Sequence, residues 1–84
     1  RTQRVIDAQE SAASKLREAD ARAFALYLRR AESGDADSQH EVALRLLAGK
    51  GVEKDAAKAR EWLAKAAAQG HAKAKARLAE TDGK

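Results

Sequence analysis

The chain has 84 residues, a formal net charge of +4, and no cysteine, methionine or proline. That length holds one small domain, and the missing cysteine excludes disulfides, thiol catalysis and thiolate metal sites. No apolar run is long enough to span a membrane and no signal peptide is visible; without an initiator methionine, the chain is expected to be a processed protein or a piece of a longer one.

Twenty-two residues are alanine and fifteen are large apolars. At roughly 2 kcal/mol for each large side chain buried, gross burial reaches only about 30 kcal/mol, so the core must be thin and closely packed. Alanine favours helices that approach one another closely, and the absence of proline removes the strongest helix breaker. An all-α chain follows. Its charge is uneven: residues 1–49 carry eight basic and eight acidic side chains, and residues 50–84 carry nine and five. The excess fits an acidic partner or nucleic acid, but a solvated helix surface is the simpler reading.

Residues 3–33 contain no glycine or proline, which predicts one helix of about 46 Å at 1.5 Å per residue. So small a domain cannot cover that length, so either the first turns project or the helix breaks. Ser11 and Ser14 are the weak point, because serine competes for backbone hydrogen bonds. Phe24, Leu26, Tyr27, Leu28 and Ala31 make the second half apolar. Asp35 is placed to cap a helix over 36–48, with Val42, Ala43, Leu46 and Leu47 as its buried stripe and Gln39, His40, Glu41 and Arg45 largely outward. Gly49 stops it.

The stretch "GKGVEKD" (49–55) then reads as a turn. Gly49 ends one helix, Gly51 lets the backbone reverse, Val52 tucks between the helices and Asp55 caps the next. A phosphate-binding loop would need a strand ahead of it and a lysine-Ser/Thr pair entering the helix; both are missing, and Asp55 would repel a phosphate. In the next helix Ala59, Trp62, Leu63, Ala66 and Ala67 fall at i, i+3, i+4, i+7 and i+8, one helical face. Gly70 stops it. A last helix over about 71–80 offers Ala72, Ala76, Leu78 and Ala79 for packing.

Shifted by thirty-six residues, the chain falls on itself. Gly34 meets Gly70, Leu26 meets Trp62, Tyr27 meets Leu63, Val42 meets Leu78, and six pairs of alanines coincide. A period of this size predicts stacked helical hairpins. The stretch from Gly34 to Ala79 resembles a Sel-one-like repeat, a relative of the tetratricopeptide repeat. Gly49, Gly51, Val52, Asp55, Ala59, Trp62, Ala66, Ala67 and Gly70 match that family's pattern at its spacing. Val42-Ala43 stands where the family usually has Leu-Gly, and Leu46 where it usually has tyrosine. The resemblance divides the chain into 1–34, a long helix ending in a degenerate repeat half; 35–70, one complete repeat; and 71–84, the first helix of a following unit or a capping helix and tail. At Ala13-Ser14-Lys15 the paired glycines are missing, which favours a continuous first helix.

Catalytic and metal chemistry find little support. His40 and His71 lie in different helices, too few for a zinc site; His71 is placed to begin a helix. No serine sits in a nucleophile elbow, and the carboxylates fall on exposed faces. Trp62 reads as a core residue, whereas Tyr27 fits either the interhelix space or a groove surface. Lys73, Lys75 and Arg77 do not form one stripe, and stacking aromatics for nucleic acid are lacking.

The resulting expectation is a non-catalytic protein-protein interaction module without cofactor or metal. Its groove would be lined by the first helix of each pair, with Gln39, His40, Glu41 and Arg45 as partner-binding residues. The resemblance implies a scaffold or adaptor, of the kind frequent in bacterial envelope or signalling systems; the sequence leaves periplasmic and cytoplasmic placement open. A structural role is the alternative. Val5, Ala12, Leu16, Ala19, Ala23 and Leu26 have heptad-like spacing, interrupted by Gln9, and suit self-association or pairing with a neighbouring domain of a larger protein. Binding nucleic acid through the basic half is a weaker alternative.

Overall fold

The computed structural model describes the backbone of residues 2–82 and the side chains of residues 17–81. Four helices follow in order: α1 (Thr2–Glu32), α2 (Ala36–Ala48), α3 (Ala56–Ala68) and α4 (Ala72–Asp82). No strand occurs among the described residues. The first helix runs without a break through Ser11 and Ser14. Nothing in its sequence imposes a kink, since Pro and Gly are absent. The early part of the heptad-like stripe, from Val5 to Leu16, lies outside the described side chains.

Local chemistry sets the helix boundaries. Asp35 has extended backbone geometry and its carboxylate accepts from the Ser38 N–H at 3.0 Å. Asp55 does the same for Lys58 N–H at 3.0 Å. Each satisfies a donor that the first helical turn leaves unpaired. The hydrogen bonds to Ser38 hold the Asp35 carboxyl below its ordinary pKa. At the far end of α2, Gly49 takes the left-handed conformation, with φ 74°, and its N–H returns to the Arg45 carbonyl.

Successive helices pack against one another as antiparallel hairpins of an α-solenoid. Contacts at both ends of the stack establish the alternation. The Gln69 amide beyond α3 donates to the Gly34 carbonyl beyond α1 at 2.9 Å, so those two C-termini lie together. His71, just before α4, reaches Asp37 in the first turn of α2, so those two N-termini lie together. Between α2 and α3 the turn is closed by Asp55 N–H donating to the Leu46 carbonyl at 2.9 Å.

The fully buried apolar residues are Ala31, Val42, Ala43, Leu46, Ala59, Leu63, Ala66 and Ala74. Most are alanine, so the helix backbones come close and the core stays thin. Close approach is most acute at Gly51. A Cβ there would lie 2.2 Å from the Asp20 carbonyl oxygen, and its φ is +78°. The second glycine of the turn therefore does more than reverse the chain; it lets the turn rest on the backbone of α1.

Two expected faces shift. Trp62 is half-buried and borders the core formed by Ala59, Leu63 and Ala66, with Ala67 also half-buried. The α3 stripe is therefore centred on i, i+4 and i+7, and an indole at its edge is too large for the narrow alanine-lined gap. On α4 the buried alanine is Ala74, flanked by half-buried Leu78 and Thr81, while Ala72, Ala76 and Ala79 are exposed. Alanines at alternate positions leave the helical phase undefined, and α3 selects only the Ala74 side.

Candidate partner-binding groove

Helix α2 has neighbours on two sides, α1 and α3, and turns its remaining surface outward between α1 and α4. A shallow cleft of about 540 Å³ opens there. It is formed by Asp37, His40, Glu41 and Leu44 of α2 with His71, Ala72 and Lys73 at the start of α4.

His71 ties the two helices. Its Nδ1 accepts from the Ala74 N–H at 3.1 Å, capping the first turn of α4. Its Nε2 lies 2.8 Å from Asp37 Oδ1. With Nδ1 occupied as an acceptor, the proton of the neutral ring sits on Nε2 and is donated to Asp37. The His40 ring stacks on that of His71, with centroids 4.7 Å apart. Burial pushes the His40 pKa down, and His71, Lys73 and Arg77 push it further, against Glu41. His40 is thus held toward its neutral form.

Of the four residues expected outward, the structure places two elsewhere. Gln39 is only 5% exposed. Its side-chain amide donates to the Ala31 carbonyl at 3.0 Å, and its Oε1 accepts from Gln69 at 3.0 Å. It is an internal tie between the ends of α1, α2 and α3, so its outward placement is corrected. Arg45 also folds inward, with its side chain 11% exposed. Its Nε donates to Glu41 at 3.0 Å, and its guanidinium lies 5.1 Å from the centroid of the Tyr27 ring. Arg45 Nη1 is buried without a hydrogen-bond partner, a cost that the ring and the carboxylate offset. Arg45 thereby holds Glu41 and Tyr27 on the groove's α1 side. His40 and Glu41 do face the cleft.

Leu44, Asp37, His71 and Lys73 complete the cleft and were not among the expected partner-binding residues. Leu44 did carry a signal. It is the one large apolar residue of α2 outside the stripe of Val42, Ala43, Leu46 and Leu47. Half-buried at the cleft, it is the one large apolar side chain there. Lys73 carried no such signal, since lysines are spread over the whole C-terminal half.

Among the described residues no three histidine, aspartate or glutamate side chains are grouped to hold a metal ion, and no helix is long and apolar enough to cross a membrane. No curated protein matches the chain. The family model of the Sel1 repeat matches residues 36–71, which takes in α2, the paired-glycine turn, α3 and the histidine that opens α4. The segment that carries the groove is similar to the Sel1 repeat, a tetratricopeptide-like helical repeat of a class that generally mediates protein–protein interaction.

Proposed function

We propose that this chain is a non-catalytic interaction module that holds a segment of a partner protein against the open face of α2. One observation carries the reading. Val42, Ala43 and Leu46 bury one side of the helix, while Asp37, His40, Glu41 and Leu44 are left around a cleft on the other. Leu44 supplies the apolar contact, and Glu41, Asp37 and Lys73 supply polar ones that fix orientation. Arg45 acts by holding Glu41 in place. In this reading 35–70 is the complete repeat, 1–34 a degenerate preceding half, and 71–84 the start of a following unit or a cap.

The test is retention of proteins from source-cell extract by the immobilised chain and by Leu44→Glu. The variant is expected to lose proteins that the parent retains while keeping its melting temperature, because Leu44 is only half-buried. Identical retention by both would overturn the reading. Self-association through α1 is a second reading, favoured by Leu26, which is 47% exposed at the end of the heptad-like stripe. Sedimentation decides it, since a monomer at all concentrations excludes it.

A further inference from the structure

On the opposite side of α2 from Leu44 runs a second depression, independent of the groove just described. Residues two apart on an α-helix point to roughly opposite sides, and Leu46 lies on this other side. One wall is α1, where Arg17, Asp20, Ala21, Phe24 and Leu28 follow one another at helical spacing along one face. The other wall is the 48–52 turn and then α3, with Lys58, Glu61, Trp62 and Lys65. Two hollows meet at Val52, which lines both. From Arg17 to Leu28 the trough spans about 16 Å, the reach of about five extended residues.

Its floor and rim differ in chemistry. Phe24, Leu28, Val52 and Trp62 are half-buried apolar side chains around a slot of about 340 Å³, room for one leucine or phenylalanine side chain. The rim carries four cations, Arg17, Lys50, Lys58 and Lys65, against two carboxylates, Asp20 and Glu61. Among the described residues no carboxylate pairs with Lys58 or Lys65. The Lys65 ammonium instead lies 4.5 Å from the centroid of the Trp62 ring. That contact keeps a cation at the mouth of the slot while leaving its hydrogen-bond donors unclaimed by protein acids.

We propose that this trough binds an acidic, extended segment of a partner protein, with one bulky apolar side chain seated between Phe24, Leu28 and Trp62. Apolar burial supplies the anchor, and the lysines select acidic flanks and speed encounter. A basic segment of the same shape is repelled.

Trp62 is the only tryptophan of the chain, so its emission reports on the slot directly. The probe is a capped Asp-Asp-Phe-Asp-Asp pentapeptide, with Lys-Lys-Phe-Lys-Lys as its counterpart, each followed by fluorescence and by calorimetry. The acidic peptide is expected to shift the emission saturably, with affinity falling about 3- to 10-fold between about 50 and 200 mM salt. The double variant Lys58→Glu/Lys65→Glu, at exposed positions, is expected to keep its helicity and to bind at least about 10-fold more weakly by calorimetry. Leu44→Glu, on the other side of α2, is expected to bind the acidic peptide as the parent does, which separates this trough from the groove of the proposed function. Absence of saturation at about millimolar peptide, equal binding of the lysine peptide, or unchanged affinity in the double variant would overturn the proposal.

Discussion

Helices α2 and α4 stand 36 residues apart and start with the same kind of sequence, yet they bury it differently. In α2, Val42 and Ala43 are wholly enclosed and Gln39 is nearly so. Their counterparts in α4 are half-buried Leu78, exposed Ala79 and exposed Lys75. Of the pairs Ser38–Ala74, Gln39–Lys75, Val42–Leu78 and Ala43–Ala79, only Ser38–Ala74 is buried in both helices. The difference lies in the neighbours. Helix α2 packs against α1 and α3, whereas α4 packs mainly against α3. A repeat helix is finished by the units on both sides of it, so the same pattern yields a structural core in one place and an open surface in the other.

Paired substitutions at equivalent positions break this comparison most sharply. Ala43→Asp buries a carboxylate with no partner and is expected to cost about 4 kcal/mol, enough to unfold so small a domain; Ala79→Asp is expected to change stability by less than about 0.5 kcal/mol. Chemical denaturation of both variants measures the contrast. The two turns give the next largest difference. Gly51→Ala forces a methyl onto the Asp20 carbonyl in addition to an unfavourable φ, and is expected to cost about 3 kcal/mol. Gly70 has φ +91°, but nothing lies within 4 Å of the place a Cβ would take there, so Gly70→Ala is expected to cost only about 1 kcal/mol. Gln39→Ala removes two hydrogen bonds, to the Ala31 carbonyl and from the Gln69 amide, each of which keeps a second partner at Gly34; it is expected to cost about 1 kcal/mol, whereas Lys75→Ala falls within about 0.5 kcal/mol.

Proton linkage between the two helices is the smallest effect. The His40 pKa is pushed below its ordinary value of 6.5 by burial, and then by His71, Lys73 and Arg77, against Glu41. The unfolded chain therefore takes up the proton first as pH falls through 6.5. Stability is complete above that value and declines below it, until the folded ring also titrates. Thermal melts between about pH 7.5 and 5.5 are expected to show the midpoint falling for the parent and falling less for His40→Gln. A midpoint that rises on acidification would contradict the lowered His40 pKa.

Much of the fold is legible in the chain because its signals are local. Asp35 and Asp55 cap, Gly49 and Gly70 stop, and the α2 stripe repeats at the helical period, so four helices and their turns follow from neighbouring residues. Positions decided by tertiary contact are less legible. Gln39 looks like a surface residue, but its amide matches the carbonyl of Ala31 and the side chain of Gln69, groups eight and thirty residues away. Arg45 looks outward by periodicity, yet a long side chain can lay its stem along the surface and reach the Tyr27 ring. In α4, alanines at 72, 74, 76 and 79 offer several equivalent faces, and only the position of α3 chooses among them. At the groove, His40 and Glu41 were readable as outward α2 residues, while the contribution of α4 depends on how the next unit stacks.

Amide hydrogen exchange tests the asymmetry between α2 and α4 most directly. The amides of Val42, Ala43 and Leu46 are expected to exchange only through global unfolding, while those of Leu78 and Ala79 exchange through local opening at lower free energy. Equal protection across both helices would contradict that asymmetry.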